Sequence, residues 1–478
     1  MIAVWILLGI VGLLLLFILI SLAHTLLIPS RRSTYVPSPD PGRAEEYAQK
    51  LARMVRYDTV SVPDTDQRQK FLGFHQVLKE LFPLVHEKLE KTEIDGNLLF
   101  YWKGKSSARP LVLMSHQDVV PAEGEWQHGP FSGDIADGKV WGRGSSDTKC
   151  SVMAFFQAVE ELLREGYVPE NDVYLSSSCT EEWAGDGGPK LVAELKRRGV
   201  RPYLVCDEGG GIITDPIAGI KGNFAMIGVF EKGKADVRFT ARSTGGHASA
   251  PARHSPIARL SALVNEMETR SPFKRKMPRE VAAMFRTLAP YASFPLKWVF
   301  TNLWLFGPVL LWVLPMISAQ AGAMIRTTVA FTMQSGSDAF NVMPQQATLG
   351  ANVRFIPHQG MEESLAILKT LADKHDVTME VFHASDYTQP VDIHGEPFRL
   401  VQQTVAEVFP GCAGSPYVMT GATDARFYQE ICDAVVRFAP VVYGPEQMKG
   451  MHGLNENIEY NCLPGAVDFY KRLIGNVR

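Results

Sequence analysis

Apolar runs that end in polar residues alternate with helical stretches over the first half of the chain. The runs RPLVLMSH, DVYLSSSCTEE and RPYLVCDEGG predict buried strands, whereas SVMAFFQAVEELLREG has the periodicity of a helix. Such alternation predicts a mostly parallel sheet covered by helices, and ligands of such sheets bind at the carboxyl ends of the strands. The sequence therefore predicts an α/β domain with a site at that edge.

The pattern changes near residue 229. The segment KADVRFTARST alternates apolar and polar positions as a half-exposed strand does, and helical and strand-like segments follow in the order β-α-β-β-α-β. We therefore predict a second domain at 229–384, inserted into a main domain that occupies 45–228 and 385–478. A strongly apolar segment interrupts the second domain at about 273–324.

The first 30 residues carry no charged side chain, and they are long enough to cross about 30 Å of hydrocarbon as a helix. A clear basic start and a small-residue cleavage site are both missing, which favours a transmembrane anchor at 1–30 over a cleaved signal peptide. A Pro-rich tether follows at 31–44. Arg31 and Arg32 favour a cytoplasmic main domain by the positive-inside rule, but two arginines leave the membrane side open.

The apolar segment contains WVFTNLWLFGPVLLWVLPMI, and no charge lies between Lys297 and Arg326. Gly307, Pro308 and Pro315 would break a second membrane-spanning helix. Two interpretations remain. The segment at 298–318 is either an apolar surface that contacts lipid or a lipophilic substrate, or a hydrophobic hairpin buried between subunits.

Composition excludes some classes of protein. A chain of 478 residues is too long for one core, and 46% hydrophobic with 21% charged residues is typical of globular domains. The net charge of −3 argues against nucleic-acid binding. The six cysteines lack C-x-x-C spacing, so we expect free, buried thiols and no disulfide framework.

Metal-binding residue types follow the predicted strands at their carboxyl ends or lie in nearby loops. Two histidines among several carboxylates suit a divalent transition metal, and the surplus of carboxylates suits two ions that share a bridging ligand. The candidate residues are His116, Asp118, Asp147, Glu181, Glu182, Asp207, Glu208 and His452.

The order H-x-D, G-R-G-x-x-D-x-K, E-E, D-E-G-G and M-H-G resembles the co-catalytic zinc peptidases. That family includes aminoacylases, carboxypeptidase S, dipeptidases and succinyl-diaminopimelate desuccinylase. The resemblance extends from about residue 45 to the end and implies that the inserted domain is a lid or dimerisation domain. HQDVVPA, DEGGG and NLWLFGP are most similar to the branch of carboxypeptidase S and the N-acyl-amino-acid hydrolases.

The resemblance also implies a role for each residue of the cluster. It implies two Zn²⁺ per subunit, although the same ligands accept Co²⁺ or Mn²⁺. One ion would be held by His116 and Asp207, with the adjacent Glu208 as the alternative to Asp207. The other would be held by Glu182 and His452, with Asp147 as the bridge. Glu181 would be the general base, and the Asp118 carboxylate would orient the ring of His116.

The inserted domain would complete the site. By the same resemblance, His247 in TGGHASAP would reach across a homodimer to stabilise the oxyanion of the partner's reaction. Further polar family positions would bind the carboxylate of the substrate or orient its amide, since arginine makes two-point contacts with carboxylates. These positions are Asn341, Arg354, Gly421 and Arg426.

These features together predict a membrane-anchored dinuclear zinc hydrolase that cleaves the amide preceding a C-terminal amino acid. The anchor and the apolar segment favour fatty N-acyl amino acids as substrates. A carboxypeptidase or dipeptidase that acts on short peptides is the alternative within the same class. A catalytically inactive, membrane-bound binding protein is the alternative from another class.

Overall fold

A computed structural model describes residues 2–37, 40–63 and 65–478. Its α-helices are α1 (Ile2–Leu27), α2 (Pro41–Val55), α3 (Arg68–Leu81), α4 (Pro83–Lys88), α5 (Lys149–Arg164), α6 (Gly187–Arg197), α7 (Pro256–Thr269), α8 (Arg279–Leu288), α9 (Phe294–Thr301), α10 (Leu303–Ile317), α11 (Ala319–Ala323), α12 (Met361–Lys374), α13 (Glu396–Val408), α14 (Ala425–Tyr428), α15 (Pro445–Gly450) and α16 (Leu463–Asn476).

The strands are β1 (Glu90–Ile94), β2 (Asn97–Trp102), β3 (Ser106–Met114), β4 (Ile135–Ala136), β5 (Lys139–Trp141), β6 (Asn171–Ser177), β7 (Leu204–Asp207), β8 (Gly211–Thr214), β9 (Asn223–Glu231), β10 (Gly233–Arg242), β11 (Gly246–His247), β12 (Thr328–Ser335), β13 (Val342–Met343), β14 (Gln346–Phe355), β15 (Thr378–Ser385), β16 (Ala413–Met419), β17 (Val435–Arg437), β18 (Val442–Tyr443) and β19 (Asn457–Glu459).

The main sheet has the strand order β1-β2-β6-β3-β7-β17-β9-β8-β18, and β16 pairs with β9. Its central strands β6, β3, β7 and β17 run parallel, as do β16 and β9, whereas β1 and β2 pair antiparallel with their neighbours and β9 is antiparallel to β17 and β8. The predicted α/β fold with a mostly parallel sheet is therefore confirmed. All residues of β6 and β7 are buried, as expected for strands covered by helices on both faces.

The inserted domain has a core of its own. An antiparallel sheet in the order β12-β14-β10-β15 packs against α7 and α12. Phe239, Leu263, Val353 and Leu368 are buried in this second core. Because β9 belongs to the main sheet as far as Glu231, the inserted sheet begins with β10 at Gly233, four residues after the predicted start of the domain at 229.

The apolar segment packs on the main domain, although it interrupts the inserted domain in sequence. Helix α8 lies against β16, and Phe285, Leu288, Phe300 and Leu314 join the main core. Helices α9 and α10 meet at a bend of 108°, so the two helices together do not form one straight membrane span. Hydrophobic burial against the larger core therefore fixes the position of this segment.

Helix α1 contains the one straight stretch of the described chain that is long and apolar enough to cross a membrane, Val4–Leu27. By length and composition it could serve either as an anchor or as a signal sequence. The six cysteines are all buried free thiols, as the sequence predicts.

Candidate metal centre and active site

Three neighbouring parallel strands bring the candidate residues to one edge of the sheet. Strand β3 ends at Met114, two residues before His116, and β7 ends at Asp207. Strand β6 lies beside β3 and leads into the loop that carries Glu181 and Glu182. Because carboxyl ends of parallel strands share an edge, these side chains converge as the sequence predicts.

Asp147 lies at the centre of the cluster, between the two histidines. Its Oδ1 is 3.2 Å from Nε2 of His116, and its Oδ2 is 3.0 Å from Nε2 of His452. His452 also lies 3.1 Å from Oε2 of Glu182. Ligand atoms of His116, Asp147 and Glu182 all lie within 4.8 Å of one another. The two oxygens of Asp147 thus face different histidines, which is the arrangement that a bridging carboxylate needs.

Charge in this cluster is strongly unbalanced. Burial raises the pKa of Glu181 well above its usual range, and the neighbouring carboxylates of Glu208 and Glu182 raise it further. Hydrogen bonds to Asp147 and Glu182 raise the pKa of His452 to about 10. Carboxylates outnumber imidazoles, so divalent cations would compensate the charge that the protein leaves unpaired. Donor type, spacing and charge therefore all fit a site for divalent metal ions.

The Asp118 carboxylate has a different main contact from the one expected. Nδ1 of His116 lies 2.9 Å from the backbone carbonyl of Asp118, but 3.5 Å from Oδ1 of its side chain. The carboxylate instead accepts hydrogen bonds from the backbone N–H groups of Glu181 and Glu182, each at 3.2 Å, and from Oγ of Ser61 at 2.6 Å. Asp118 therefore orients the imidazole mainly through its carbonyl and positions both glutamates through its side chain.

The geometry favours Glu208 over Asp207 as the ligand that follows β7. Both carboxylate oxygens of Asp207 accept backbone hydrogen bonds, from Glu208 N at 2.8 Å and from Ala425 N at 3.0 Å. Burial raises the pKa of Glu208 well above its usual range, and the carboxylates of Asp207 and Asp147 raise it further. The charge of His116 also acts on Glu208. The ligand that follows β7 therefore stays a prediction, for which we favour Glu208, the alternative to Asp207, because successive residues at a strand end point in opposite directions.

Glu456 supports the loop that carries Asp147, and the sequence analysis missed it. Its Oε1 accepts hydrogen bonds from the backbone N–H groups of Gly144, Ser146 and Asp147 at 2.9–3.0 Å. Its Oε2 pairs with Arg143 at 2.6 Å, and both side chains are buried. The available signal was an acidic residue four positions after His452, in HGLNENIE.

Two predicted residues of the inserted domain lie together but away from the cluster. His247 on β11 and Asn341 just before β13 are exposed neighbours, since Ala248 N donates to the Asn341 carbonyl at 3.0 Å. Nδ1 of His247 lies 2.7 Å from Oγ of Ser249. Within the described part of the chain, no hydrogen bond or ion pair joins His247 to the metal cluster.

Arg354 and Arg426 belong to different domains, and the positive charge of one acts on the other. Arg354 on β14 is half-buried, and its Nε donates to Oδ1 of Asn352 at 2.9 Å. Burial lowers its pKa, and the positive charge of Arg426 lowers it further. Arg426 stacks on the ring of Phe427 at 4.6 Å, and Gly421 is exposed in the preceding loop. Guanidinium groups are suited to binding an anionic ligand.

The cluster and its sheet define the class of the protein as a metal-dependent hydrolase of the metallopeptidase type. The chain belongs to peptidase family M20/M25/M40, whose sequence model matches residues 112–476. The resemblance to the co-catalytic zinc peptidases, a metal-dependent family, is thereby confirmed.

Two curated relatives are similar over most of their length. The chain is 32% identical over 445 residues to a probable carboxypeptidase S-like 2 of Dictyostelium discoideum, covering 90% of this chain and 85% of the relative. It is 33% identical over 466 residues to the N-fatty-acyl-amino acid synthase/hydrolase PM20D1 of Homo sapiens, and this match covers 93% of this chain and 91% of the relative.

A solved structure supports the fold independently. The M20 family metallo-carboxypeptidase Sso-CP2 from Sulfolobus solfataricus superposes with a TM-score of 0.67 at 16% identity, covering 90% of this chain and 99% of the other. At this level of identity the likeness shows the fold alone.

Proposed function

We propose that the protein is a membrane-anchored hydrolase with two divalent metal ions, and that it releases a C-terminal amino acid from a fatty N-acyl amide. The central observation is the position of Asp147 between His116 and His452, with Glu181 and Glu182 beside it. An inactive binding protein would have no need to keep this complete set of ligands together with a separate acid–base residue.

The proposed ligand set differs from the sequence expectation at one position. His116 and Glu208 would hold one ion, Glu182 and His452 the other, and Asp147 would bridge them. We propose zinc as the metal because histidine and carboxylate ligands at this spacing suit it. When bound, such ions polarise the amide carbonyl and lower the pKa of water.

Glu181 is the proposed general base. Its backbone N–H is held by Asp118, so its side chain is fixed beside the cluster without an assigned ligand role. It accepts a proton from the attacking water and transfers it to the nitrogen of the leaving amino acid as the C–N bond breaks. Burial raises the pKa of this carboxyl, which strengthens it as a base.

Arg354 and Arg426 are the proposed binding site for the carboxylate of the substrate, and Asn341 and Gly421 would lie near its amide. The relative from Homo sapiens supports a fatty acyl group, since its printed name describes N-fatty-acyl-amino acids. The apolar segment on the main domain supports the same choice. The carboxypeptidase S-like relative supports a second candidate activity, the removal of C-terminal residues from short peptides.

A homodimer would explain the exposed position of His247. The proposed role of its imidazole is to stabilise the oxyanion in the partner's site. Mixing the His247→Ala and Glu181→Gln chains should restore up to a quarter of the wild-type activity per site, because mixed dimers hold one intact site. The mixture of Glu181→Gln with Glu182→Gln is the control. Both substitutions affect the metal cluster of the chain that carries them, so every site in a mixed dimer stays defective whether or not His247 acts across the dimer. Equal activity of both mixtures would contradict catalysis across the subunits.

The proposed reaction is tested by comparing two substrates on the full chain in detergent. A long-chain N-acyl amino acid and a dipeptide would share the same C-terminal residue, and each assay would be repeated after chelation and after restoring zinc. We expect a higher kcat/KM for the N-acyl amino acid. A higher kcat/KM for the dipeptide would favour the peptidase, and chelator-insensitive hydrolysis would contradict the metal mechanism.

A further inference from the structure

The last two turns of α1 are joined to the main domain by buried polar contacts. Nδ2 of Asn302 donates to Oγ1 of Thr25 at 2.8 Å and to the carbonyl of Ser21 at 3.1 Å. The indole Nε1 of Trp298 donates to Oγ of Ser21 at 2.8 Å. Ser21, Thr25 and Asn302 are fully buried. Removal of α1 would break these bonds and take the partner of the Trp298 indole away, whereas Nδ2 of Asn302 would keep its bonds to the Trp298 carbonyl at 2.8 Å and to Oγ1 of Thr301 at 3.0 Å.

The end of α1 is held by a second set of contacts. The ammonium group of Lys297 donates to the carbonyl of Ile28 and to Oγ of Ser30 at 3.0 Å. The backbone N–H of Arg31 donates to the carbonyl of Pro290 at 2.7 Å. A cation at the carboxyl end of a helix also interacts favourably with its dipole. Helix α1 is therefore bound as a part of the fold, as expected for a segment that is retained.

Helix α10 presents an exposed apolar face next to α1. The ring of Phe17 on α1 packs edge-on against Trp304 of α10, with 5.9 Å between the ring centroids. Trp312 is 67% exposed and Met316 is 84% exposed. The exposed apolar residues of α10 are Trp304, Val309, Trp312, Val313, Met316 and Ile317. An exposed face of this kind marks a contact with lipid or protein.

A basic segment borders this apolar face. Residues 270–286 contain six arginines or lysines and one acidic residue, Glu280. The guanidinium of Arg275 lies over the ring of Trp312, 4.4 Å from its centroid. Arg31 and Arg286 line one open pocket at the end of α1. Basic residues beside exposed tryptophans are typical of a protein surface at the lipid headgroups.

We propose that α1 and α10 dock together on an anionic lipid bilayer: α1 crosses it, α10 lies in its interface, and the basic segment at 270–286 contacts the headgroups. This inference rests on the proposed anchoring by α1, but it does not rest on the proposed reaction. A second copy of the chain is a less suitable occupant. In a two-fold dimer this face would meet itself, and the basic segments would approach each other.

The tether that follows α1 contacts the main sheet beyond the carboxyl end of β7. Oγ of Ser33 donates to the carbonyl of Asn223, the first residue of β9, at 2.6 Å. Strand β9 runs antiparallel to β17, and Gly228 lies opposite Arg437 in the sheet register. On the other side of β17, Arg437 lies opposite Asp207, the last residue of β7. Asn223 therefore lies beyond the carboxyl end of β7.

The test uses fluorescent labels on the full chain in vesicles. Single cysteines replace Met316 on α10, Ile10 on α1 as the membrane-embedded reference, and Val168 as the control. Val168 is exposed and precedes the amino end of β6, at the edge opposite the cluster. Because the native cysteines are buried, an environment-sensitive dye will label the new thiol selectively. Quenching by lipids that carry a nitroxide on the acyl chain is then measured in neutral vesicles and in vesicles with anionic phospholipid.

We expect the label at Met316→Cys to be quenched at least half as strongly as the label at Ile10→Cys, and several-fold more strongly than at Val168→Cys. Quenching at Met316→Cys should increase when anionic lipid is added. Quenching equal to that at Val168→Cys would overturn the docking of α10. Protection of this label that depends on protein concentration and not on lipid would assign the face to a subunit contact instead.

Two further measurements separate this inference from the proposed function. The intact mass of the chain purified from membranes should include residues 1–30, and their absence would overturn the anchor and the docking together. Amidase activity of the same labelled chains, measured in detergent, tests the reaction independently. Chains that are fully active but unquenched at Met316→Cys would therefore contradict the docking and leave the reaction supported.

Discussion

Two groups of carboxylates at the same loop, one buried and one half-buried, illustrate the difference between a structural and a functional acid. Glu456 is surrounded by donors, which are three backbone N–H groups, the Ser146 hydroxyl and Arg143. Around Asp147 lie the carboxylates of Glu181, Glu182 and Glu208, with the imidazoles of His116 and His452 beside them. The charge of Glu456 is balanced by donors of the protein itself, whereas the carboxylates around Asp147 leave negative charge for cations to compensate.

The largest expected effect is on kcat, and it separates the roles of the adjacent residues Glu181 and Glu182. Glu181→Gln should lower kcat by at least about 100-fold and up to about 10,000-fold because the proton-transfer group is removed. Both metal ions should remain bound, since Glu181 is not an assigned ligand. Steady-state kinetics and metal analysis check this, with Glu182→Gln as the comparison that should lose metal. Loss of metal from Glu181→Gln alone would mean that the two glutamates have exchanged roles.

The adjacent acids at the end of β7 provide the next test. Glu208→Gln should weaken binding of one ion by more than about 100-fold, because changes merely beside a ligand cost about 10-fold to 100-fold. Asp207→Asn should have the smaller effect, since its carboxylate is already bonded to backbone N–H groups. Competition against a chelating dye measures both affinities. The reverse order would restore Asp207 as the ligand.

Substitution of Glu456, the structural acid, should lower the stability of the fold more than it changes metal binding at the site. Glu456→Gln leaves the buried guanidinium of Arg143 without its partner, and we expect a loss of about 3 kcal/mol in the free energy of unfolding. Metal affinity should also fall by about 10-fold as the Asp147 loop loosens. Glu459→Gln is the control, because Glu459 is exposed on the same strand β19. Denaturant melts that show equal stability for the two variants would remove Glu456 from this role.

Proton binding gives the smallest and most diagnostic effect. Without metal, raised pKa values at Glu181, Glu208 and His452 mean that the folded chain holds protons that the unfolded chain releases. The stability that these bound protons contribute is fully present below the pKa values of the unfolded chain, about 4.3 for Glu and about 6.5 for His. It is lost as pH rises through the higher pKa values of the folded chain. Buried Lys149 and Lys232, whose pKa values are lowered to about 7, act oppositely.

The two lysines contribute equally to the metal-free and metal-loaded forms and so cancel in the difference. Bound ions replace the protons at the cluster, so the Tm advantage of the loaded chain should widen as pH rises from about 5 to about 9. Thermal melts with zinc or with chelator across this range measure it. A Tm difference that is constant or narrows with rising pH would contradict the charge imbalance.

Part of the site was predictable from sequence, because His116 and Glu182 follow buried parallel strands that deliver their ends to one edge. Asp147 and His452 join them from loops, just before α5 and just after α15. The choice between Asp207 and Glu208 was not predictable, because one residue of shift along a strand reverses the direction of a side chain.

Long-range packing was the other missing information. Glu456 bonds a loop about 310 residues earlier in the chain, and no local pattern marks such a partner. The apolar segment lies within the inserted domain in sequence, but its buried face matches the larger core. Hydrophobic composition predicts that a segment is buried or docked, and not which surface receives it.

The central claim is that the unbalanced carboxylate cluster holds two divalent ions. Equilibrium dialysis of the full chain against increasing zinc, followed by elemental analysis of protein and metal, tests this directly. We expect two ions per chain at saturation, with hydrolysis appearing as the cluster fills. Saturation with one ion or none, in a chain that is folded and hydrolytically active, would contradict the account.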